Sequence, residues 1–326
     1  MTELPWNSGI IESIAESRND FLTQIFLFFT FLGGQEGYIL IIVGLYWLYN
    51  KELAYRLAFV VLGSTIINNT LKSIIQNPRP FVAEETYIEN WAVSEEMAEE
   101  LALGYSTPSG HAMSSGSFWS YFFSQRKNTI FRIVCIGIIL MISLSRPYLG
   151  VHYFEDVIIG AFLGILVTFV VLKYMSGIFT KWNSFSRNVQ NLLIIGVSLV
   201  IIFTAGLISD FEFLGSEFAT FLGFLSGSVV GNNYEQKHID FDVTIDFSST
   251  GKGIGIALIR YIIGAVLVLI VLVGLDSIFE SIAEDFSAEG YILRFIRYFA
   301  VALVALLVVP VIFVKTKLAS QNPLKD

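Results

Sequence analysis

Apolar runs long enough to cross a lipid bilayer recur along most of this chain, and that feature restricts the possible folds more than any other. A hydrocarbon core about 30 Å thick takes about 20 helical residues per crossing, and inside it a helix satisfies its own backbone hydrogen bonds. Ten helical runs can be traced: Phe21 to Gly33, Tyr38 to Tyr49, Leu53 to Ile75, His111 to Phe123, Thr129 to Ser145, Tyr153 to Tyr174, Leu192 to Ser209, Phe218 to Gly231, Ile254 to Leu275 and Tyr291 to Val314. Several are short, so the count holds to one or two. The expected class is all-α, a polytopic helical membrane protein. A soluble domain carries about a quarter of its residues charged, whereas here 15% are charged and 54% hydrophobic over 326 residues. The net charge of −8 argues against nucleic acid as a partner, and the single Cys135, inside an apolar run, excludes a disulfide framework or a cysteine zinc site.

The first 20 residues are polar and acidic, with no basic stretch feeding an apolar core, so they do not read as a cleaved signal. Trp6, Ile10, Ile11 and Ile14 fall on one face of a short interfacial helix there. Gly33, Gly34, Gln35, Glu36 and Gly37 separate the first two runs as a hairpin tip. Every cluster of reactive side chains lies before about Tyr174. The expected organisation is therefore an N-terminal segment (1–20), a six-span core (21–175) and a C-terminal extension of about four spans (176–326). In that extension Asp240, Asp242 and Asp246 lack the full calcium-loop pattern and read as a solvated loop, while Gly251, Gly253 and Gly255 read as a helix entry. Asn68, Asn69 and Thr70 form a glycosylation sequon that should be silent inside a span.

Short cytoplasmic loops carry the excess of Lys and Arg. Lys51, Arg56, Arg126, Lys127, Arg132, Lys173, Lys181, Arg187, Lys315, Lys317 and Lys325 all fall on one side of the ten-span reading, and Arg18, Lys237, Lys252 and Arg260 join them. Arg294 and Arg297 go against it. Lys72, Arg79 and Arg146 face the other side, together with an acidic loop, Phe81 to Thr107, that holds seven Glu and no Lys or Arg. That loop should be periplasmic or its equivalent, with a short surface helix over Ser94 to Leu103.

Three groups of reactive residues share the outer side. The first runs from Lys72 to Pro80, where Pro78 and Pro80 end the helix and set how Arg79 projects. In the second, Pro108, Ser109, Gly110 and His111 open a span and aim free backbone N–H groups outward, an anion site by geometry and dipole. The third runs from Ser145 and Arg146 to His152 and Asp156, the last two four apart. Ionisable residues beside spans are functional candidates by default. Brought together, Lys72, Arg79 and Arg146 would neutralise phosphoryl oxygens. Asp156 would hold one ring nitrogen of His152 and leave the other aimed at phosphorus, and His111 would protonate the departing oxygen.

These groups resemble the signature of the type 2 phosphatidic acid phosphatase family, the lipid phosphate phosphatases: Lys, six residues, Arg-Pro; Pro-Ser-Gly-His; Ser-Arg, five residues, His, three residues, Asp. Every fixed position is present, between Lys72 and Asp156, and unrelated membrane anchors have no reason to keep these spacings. Vanadium haloperoxidases share the residues but are soluble. The resemblance implies a reaction without metal or cofactor. His152 would form a phosphohistidine oriented by Asp156, and His111 would act as general acid and then activate water. Lys72, Arg79, Ser109, Gly110 and Arg146 would hold the phosphate, with Pro80, Pro108 and Ser145 in support.

The expected function is hydrolysis of the terminal phosphate of a membrane lipid phosphate or diphosphate, such as undecaprenyl diphosphate, phosphatidylglycerophosphate or phosphatidic acid. The site would open on the extracytoplasmic face of a plasma or inner membrane, with the lipid's tail left in the bilayer. A lipid phosphotransferase, a transporter or flippase using the cations to bind a lipid phosphate, and a catalytically idle scaffold are the alternatives.

Overall fold

A computed structural model describes residues 4–7, 9–82, 98, 101–208, 213–248, 250–284 and 286–323. The seven glutamates of the acidic loop and most of the helix expected over Ser94 to Leu103 lie outside them. The described chain is helical and contains no strand. Its helices are α1 (Gly9–Glu16), α2 (Asp20–Leu32), α3 (Gln35–Leu48), α4 (Lys51–Ile75), α5 (Gly110–Ser124), α6 (Thr129–Tyr148), α7 (Phe154–Asn183), α8 (Arg187–Ile208), α9 (Phe213–His238), α10 (Thr250–Glu280) and α11 (Ala288–Lys315). Their starts follow the sequence. The side chains of Asn19, Ser109, Asn128 and Ser287 accept first-turn N–H groups of α2, α5, α6 and α11.

Among the described residues six helices are long and apolar enough to cross a bilayer: α4, α6, α7, α8, α10 and α11. This is fewer than the ten runs in the sequence, for two physical reasons. Helices α2 and α3, of 13 and 14 residues, pass the test only together, bent by 59° at the glycine break, so they form one broken span or a re-entrant loop. Helices α5 and α9 are rich in small and polar residues, as an internal helix is free to be.

By packing the chain divides into two units, residues 1–38 with 60–178, and residues 39–59 with 179–326. Residues 39–59 thus pack with the later part of the chain rather than with the 21–175 core. In the first unit α5 is sheathed by its neighbours, with Met113, Phe118 and Tyr121 buried. It lies against α7 because α7 presents glycines. A Cβ on Gly160 would meet the Ser109 carbonyl at 2.6 Å, and one on Gly164 would run into the Met113 carbonyl. The Thr168 hydroxyl donates to the Ser117 carbonyl at 2.8 Å. This seam sets the Pro-Ser-Gly-His turn beside Asp156, whose carbonyl accepts the Ser109 N–H at 3.0 Å.

In the second unit α9 lies against α11 through Gly223 and Gly227, which leave no room for a Cβ beside the Phe295 and Phe299 carbonyls. Within α11, residues Val304–Val308 form a π-helical turn in which Val309 N bonds to the Val304 carbonyl. The next possible donor to Ala305 is Pro310, which has no N–H. The buried Trp47 indole fills that role, donating to the Ala305 carbonyl at 2.8 Å. Arg297, an exception to the charge bias, is paired with Asp276 of α10 and donates to the Leu272 carbonyl at 3.0 Å. Asp240 pairs with Lys51 at 2.8 Å, and Asp242 and Asp246 accept the N–H groups of Thr244 and Ser248.

The seam between α5 and α7 generates a stability prediction. Gly164→Ala overpacks it and should lower stability by about 1–3 kcal/mol. Gly177→Ala on the same helix, with nothing within 4 Å of its new Cβ, should be neutral or stabilising. Thermal unfolding of both variants in one detergent checks this, and equal midpoints would contradict it.

Candidate active site

Asp156 is the anchor of the site. It lies in the first turn of α7, fully buried, and its Oδ2 accepts the backbone N–H of Tyr153 at 2.9 Å, one half of a capping box. The Ser106 hydroxyl donates to Oδ2 and the Thr107 hydroxyl to Oδ1. His152 Nδ1 stands 3.3 Å from Oδ2 and 3.2 Å from Ser106 Oγ. The sequence places His152 and Asp156 together by helical spacing. In the structure His152 precedes the helix, and the capping contact folds the turn back so that the pair still meets.

The other ring nitrogen, Nε2, lies 3.1 Å from Arg79 Nη1. A guanidinium can only donate, so Nε2 is the acceptor and the ring proton resides on Nδ1, toward Asp156. Arg79 is itself held by the carbonyls of Gly104 (3.2 Å) and Val151 (3.0 Å). Its approach has a local cause: Gln76 ends α4 in the left-handed region (φ 53°), and Pro78 and Pro80 stiffen the backbone on either side of Arg79. Burial pushes the Arg79 guanidinium down to about 10, partly offset by Asp156. Burial, with Arg79, Lys72 and Arg146 nearby, holds the His152 imidazole well below its ordinary range.

Lys72 and Arg146 complete a cationic cluster. Lys72, 7% exposed, donates to the Tyr105 carbonyl, and Arg146, 3% exposed, donates to the Thr30 hydroxyl. Arg146 Nε is buried with no hydrogen-bond partner among the described residues. A buried donor of this kind is costly unless a ligand satisfies it. His111, in the first turn of α5, lies within electrostatic range of Arg146, His152, Arg79 and Lys72. Ser109 caps α5, so the N–H groups of Gly110 and His111 stand at a helix start. Ser145 turns back onto the Ile142 carbonyl at 2.6 Å and acts as packing.

The structure links Arg79, His152 and Asp156 directly, brings Lys72, His111 and Arg146 within electrostatic range of them, leaves the Ser145 hydroxyl turned away, and adds several residues. Ser106, Thr107 and Asn77 are buried beside Asp156, with Asn77 donating to Thr107 Oγ1 at 2.9 Å. Asn68, in the silent sequon, donates to the Pro108 carbonyl at 3.1 Å. Thr30 was signalled only as a lone hydroxyl in an apolar run, and Ser106 and Thr107 only by standing directly before Pro108. The second unit has a separate cavity of about 590 Å³, lined by Lys51, Arg56, Trp182, Arg187, Gln190 and Asn233. It holds no histidine, and its buried amides already bond one another, Asn233 to Gln190 at 3.1 Å.

Residues 53–179 match the PAP2 superfamily, and residues 219–321 match the transmembrane extension of PAP2 superfamily phosphatases. Phosphatidylglycerophosphatase B of Bacillus subtilis is 27% identical over 169 residues, covering 47% of this chain and 75% of that protein. Dolichyldiphosphatase of Saccharomyces cerevisiae is 32% identical over 127 residues, 36% of this chain and 49% of the yeast protein, so the match spans about half of that relative. The crystal structure of Aquifex aeolicus LpxE superposes on 52% of this chain and 95% of its own, with a TM-score of 0.44 and 24% identity.

The site's charges dictate two titration outcomes. The His152 imidazole stays neutral as pH falls through about 6.5, the ordinary histidine value. In Arg79→Gln the largest charge opposing its protonation is gone, so the midpoint rises. Histidine-labelled 15N NMR of the detergent-solubilised protein reads both the midpoint and the Nδ1–H tautomer, and a midpoint unchanged by Arg79→Gln would contradict this account.

Proposed function

This chain belongs to the PAP2 superfamily, and on that premise we propose that it is an integral-membrane lipid phosphatase working through a phosphohistidine. The observation that carries the proposal is the pairing at His152: Nδ1 toward Asp156, and Nε2 toward a guanidinium. That imidazole is neutral and oriented, with its lone pair turned toward the cationic cluster, as a nucleophile for phosphorus must be.

In the proposed reaction Lys72, Arg79, Arg146 and the N–H groups at the start of α5 take the phosphoryl oxygens. Arg79 exchanges its bond to Nε2 for one to phosphate, which frees the lone pair. Nε2 attacks phosphorus, the bond to the leaving oxygen breaks, and His111 gives that oxygen a proton. His111 then removes a proton from water, the water oxygen attacks phosphorus, and the P–N bond breaks to release phosphate and restore His152. Asp156 stabilises the positive charge on the phosphorylated ring. No metal is required, because the three cations neutralise the charge that a metal would otherwise meet.

The substrate is a lipid phosphate or diphosphate, whose tail stays in the bilayer while its head group enters the site. Phosphatidylglycerophosphate and polyprenyl diphosphates are the first candidates, given the names of the relatives. The positive-inside bias supports a site on the extracytoplasmic face of a plasma or inner membrane, and residues 21–175 are proposed as the catalytic part.

Full-length protein in detergent with a chelator present should release one inorganic phosphate per lipid phosphate consumed. His152→Ala should lower the rate by at least about 10³-fold, and His111→Ala by about 10²–10⁴-fold. With 32P-labelled substrate and an alkaline quench, label should appear on the wild-type chain and be absent from His152→Ala. Full activity in His152→Ala would overturn the assignment. Label passing to an added lipid alcohol in place of water would make the enzyme a transferase.

A further inference from the structure

The segment ahead of α2 touches all three reactive groups, a placement that its reading as an interfacial helix does not require. Leu4 N donates to Asn77 Oδ1 at 2.9 Å, beside the first group. Trp6 Nε1 donates to Thr107 Oγ1 at 3.1 Å, beside the second. At the third, Ile11 is fully buried against Tyr153 with Trp6 and Phe81 packed around them, and Arg18 Nε donates to the Tyr148 carbonyl at 2.7 Å.

The hydrogen bonds around Thr107 have a direction. Its hydroxyl oxygen receives the Trp6 indole N–H and the Asn77 amide, at 3.1 and 2.9 Å. An indole N–H can only donate. The Asn77 amide is oriented because its oxygen is occupied by the Leu4 N–H, which turns its NH₂ to Thr107. A threonine hydroxyl has two lone pairs and one proton, so with both lone pairs engaged it can act only as a donor, and its partner is Asp156 Oδ1. Thr107 thereby pins Oδ1, while Oδ2 accepts the Ser106 hydroxyl and the Tyr153 N–H and faces the ring of His152.

We propose that the N-terminal segment is a working part of the active site, and that Trp6 is a positioning residue acting on His152 through Thr107 and Asp156. The proposal rests on the phosphatase reading above. Trp6 touches neither ring nor phosphate. By donating to the Thr107 oxygen it holds that hydroxyl in the orientation that donates to Oδ1, and so keeps the Asp156 carboxylate from rotating away from His152 Nδ1. The charged or titratable groups around His152 are Asp156, Arg79, Lys72, Arg146 and His111, and removing the indole N–H alters none of them directly.

Trp6→Phe keeps the aromatic packing on Ile11 and Tyr153 and deletes only the donor. Loss of one neutral hydrogen bond predicts a fall in kcat of about three- to tenfold with KM unchanged. The acid limb of kcat/KM should also move to higher pH, because an Asp156 less neutralised by Thr107 favours the imidazolium. Thr107→Val removes the intermediary, so Trp6→Phe should cost nothing further in that background and should retain its full cost in Thr107→Ser. Unfolding midpoints of the singles identify any variant that loses activity by misfolding. Wild-type kcat and pH profile in Trp6→Phe, or an equal loss with and without Thr107→Val, would overturn the inference. His152→Ala separates this from failure of the underlying reading: an active His152→Ala refutes the phosphatase mechanism, whereas an inactive one beside an unaffected Trp6→Phe refutes the role of Trp6 alone.

Discussion

The structure of the site depends on a cluster of buried cations held around one histidine. Lys72, Arg79 and Arg146 are each less than a tenth exposed, and Asp156 is the carboxylate among them. Cations so placed repel one another and have lost most of their hydration. Neutral oxygens are among the groups that orient them: the carbonyls of Tyr105, Gly104 and Val151 and the hydroxyl of Thr30. Neutral acceptors orient a cation without cancelling it. Among the described residues an unsatisfied donor remains at Arg146 Nε, and a phosphoryl oxygen would supply its missing acceptor.

Holding that cluster in place requires rigid backbone, and the rigidity comes from the seam of small residues between α5 and α7. With Gly160 and Gly164 against the backbone of α5, the start of one helix and the first turn of the other are separated by a single peptide hydrogen bond, Ser109 N to the Asp156 carbonyl. Two of the three reactive groups are thus fixed by main chain before any side chain is considered. The third is drawn in by Asn77, whose backbone carbonyl accepts the Ser106 N–H at 2.8 Å while its side chain reaches Thr107. A site built this way positions a phosphoryl group with little reorganisation during the reaction, which is where electrostatic catalysis gains most.

The residues proposed to carry the reaction were legible in the sequence because their chemistry is unusual for their surroundings: histidine, lysine and arginine beside apolar helices, at fixed spacings. The residues that orient them were not. Ser106, Thr107 and Thr30 are ordinary hydroxyls whose roles arise only when distant segments meet, and Trp6 lies 101 residues from the threonine that it contacts. Each of the ten runs is a helix, α2 to α11, but six of them pass alone as spans, for a related reason. Hydropathy treats each run by itself, so it read α2 and α3 as two spans although each is too short alone, and it counted α5 and α9, whose small and polar residues belong to interior helices. All-helical character and membrane class needed only the average composition, and both were evident at once.

Charge by itself does not mark a site in this chain. The second unit also holds buried or half-buried cations, and there acids pair with Lys51 and Arg297. Lys51 meets two carboxylates, Glu235 at 3.2 Å and Asp240 at 2.8 Å, and Arg297 meets Asp276. Arg260 is taken up by the carbonyls of Leu318 and Val243, with Asp242 acting on it electrostatically. A cation matched by an acid from its own chain has little left to offer a ligand, and its role is to fix helix ends. Around His152 the carboxylate of Asp156 is already committed to two hydroxyls, a backbone N–H and the imidazole. Among the described residues, what sets the cluster around His152 apart is the donor left open at Arg146 Nε, which a phosphate oxygen could fill.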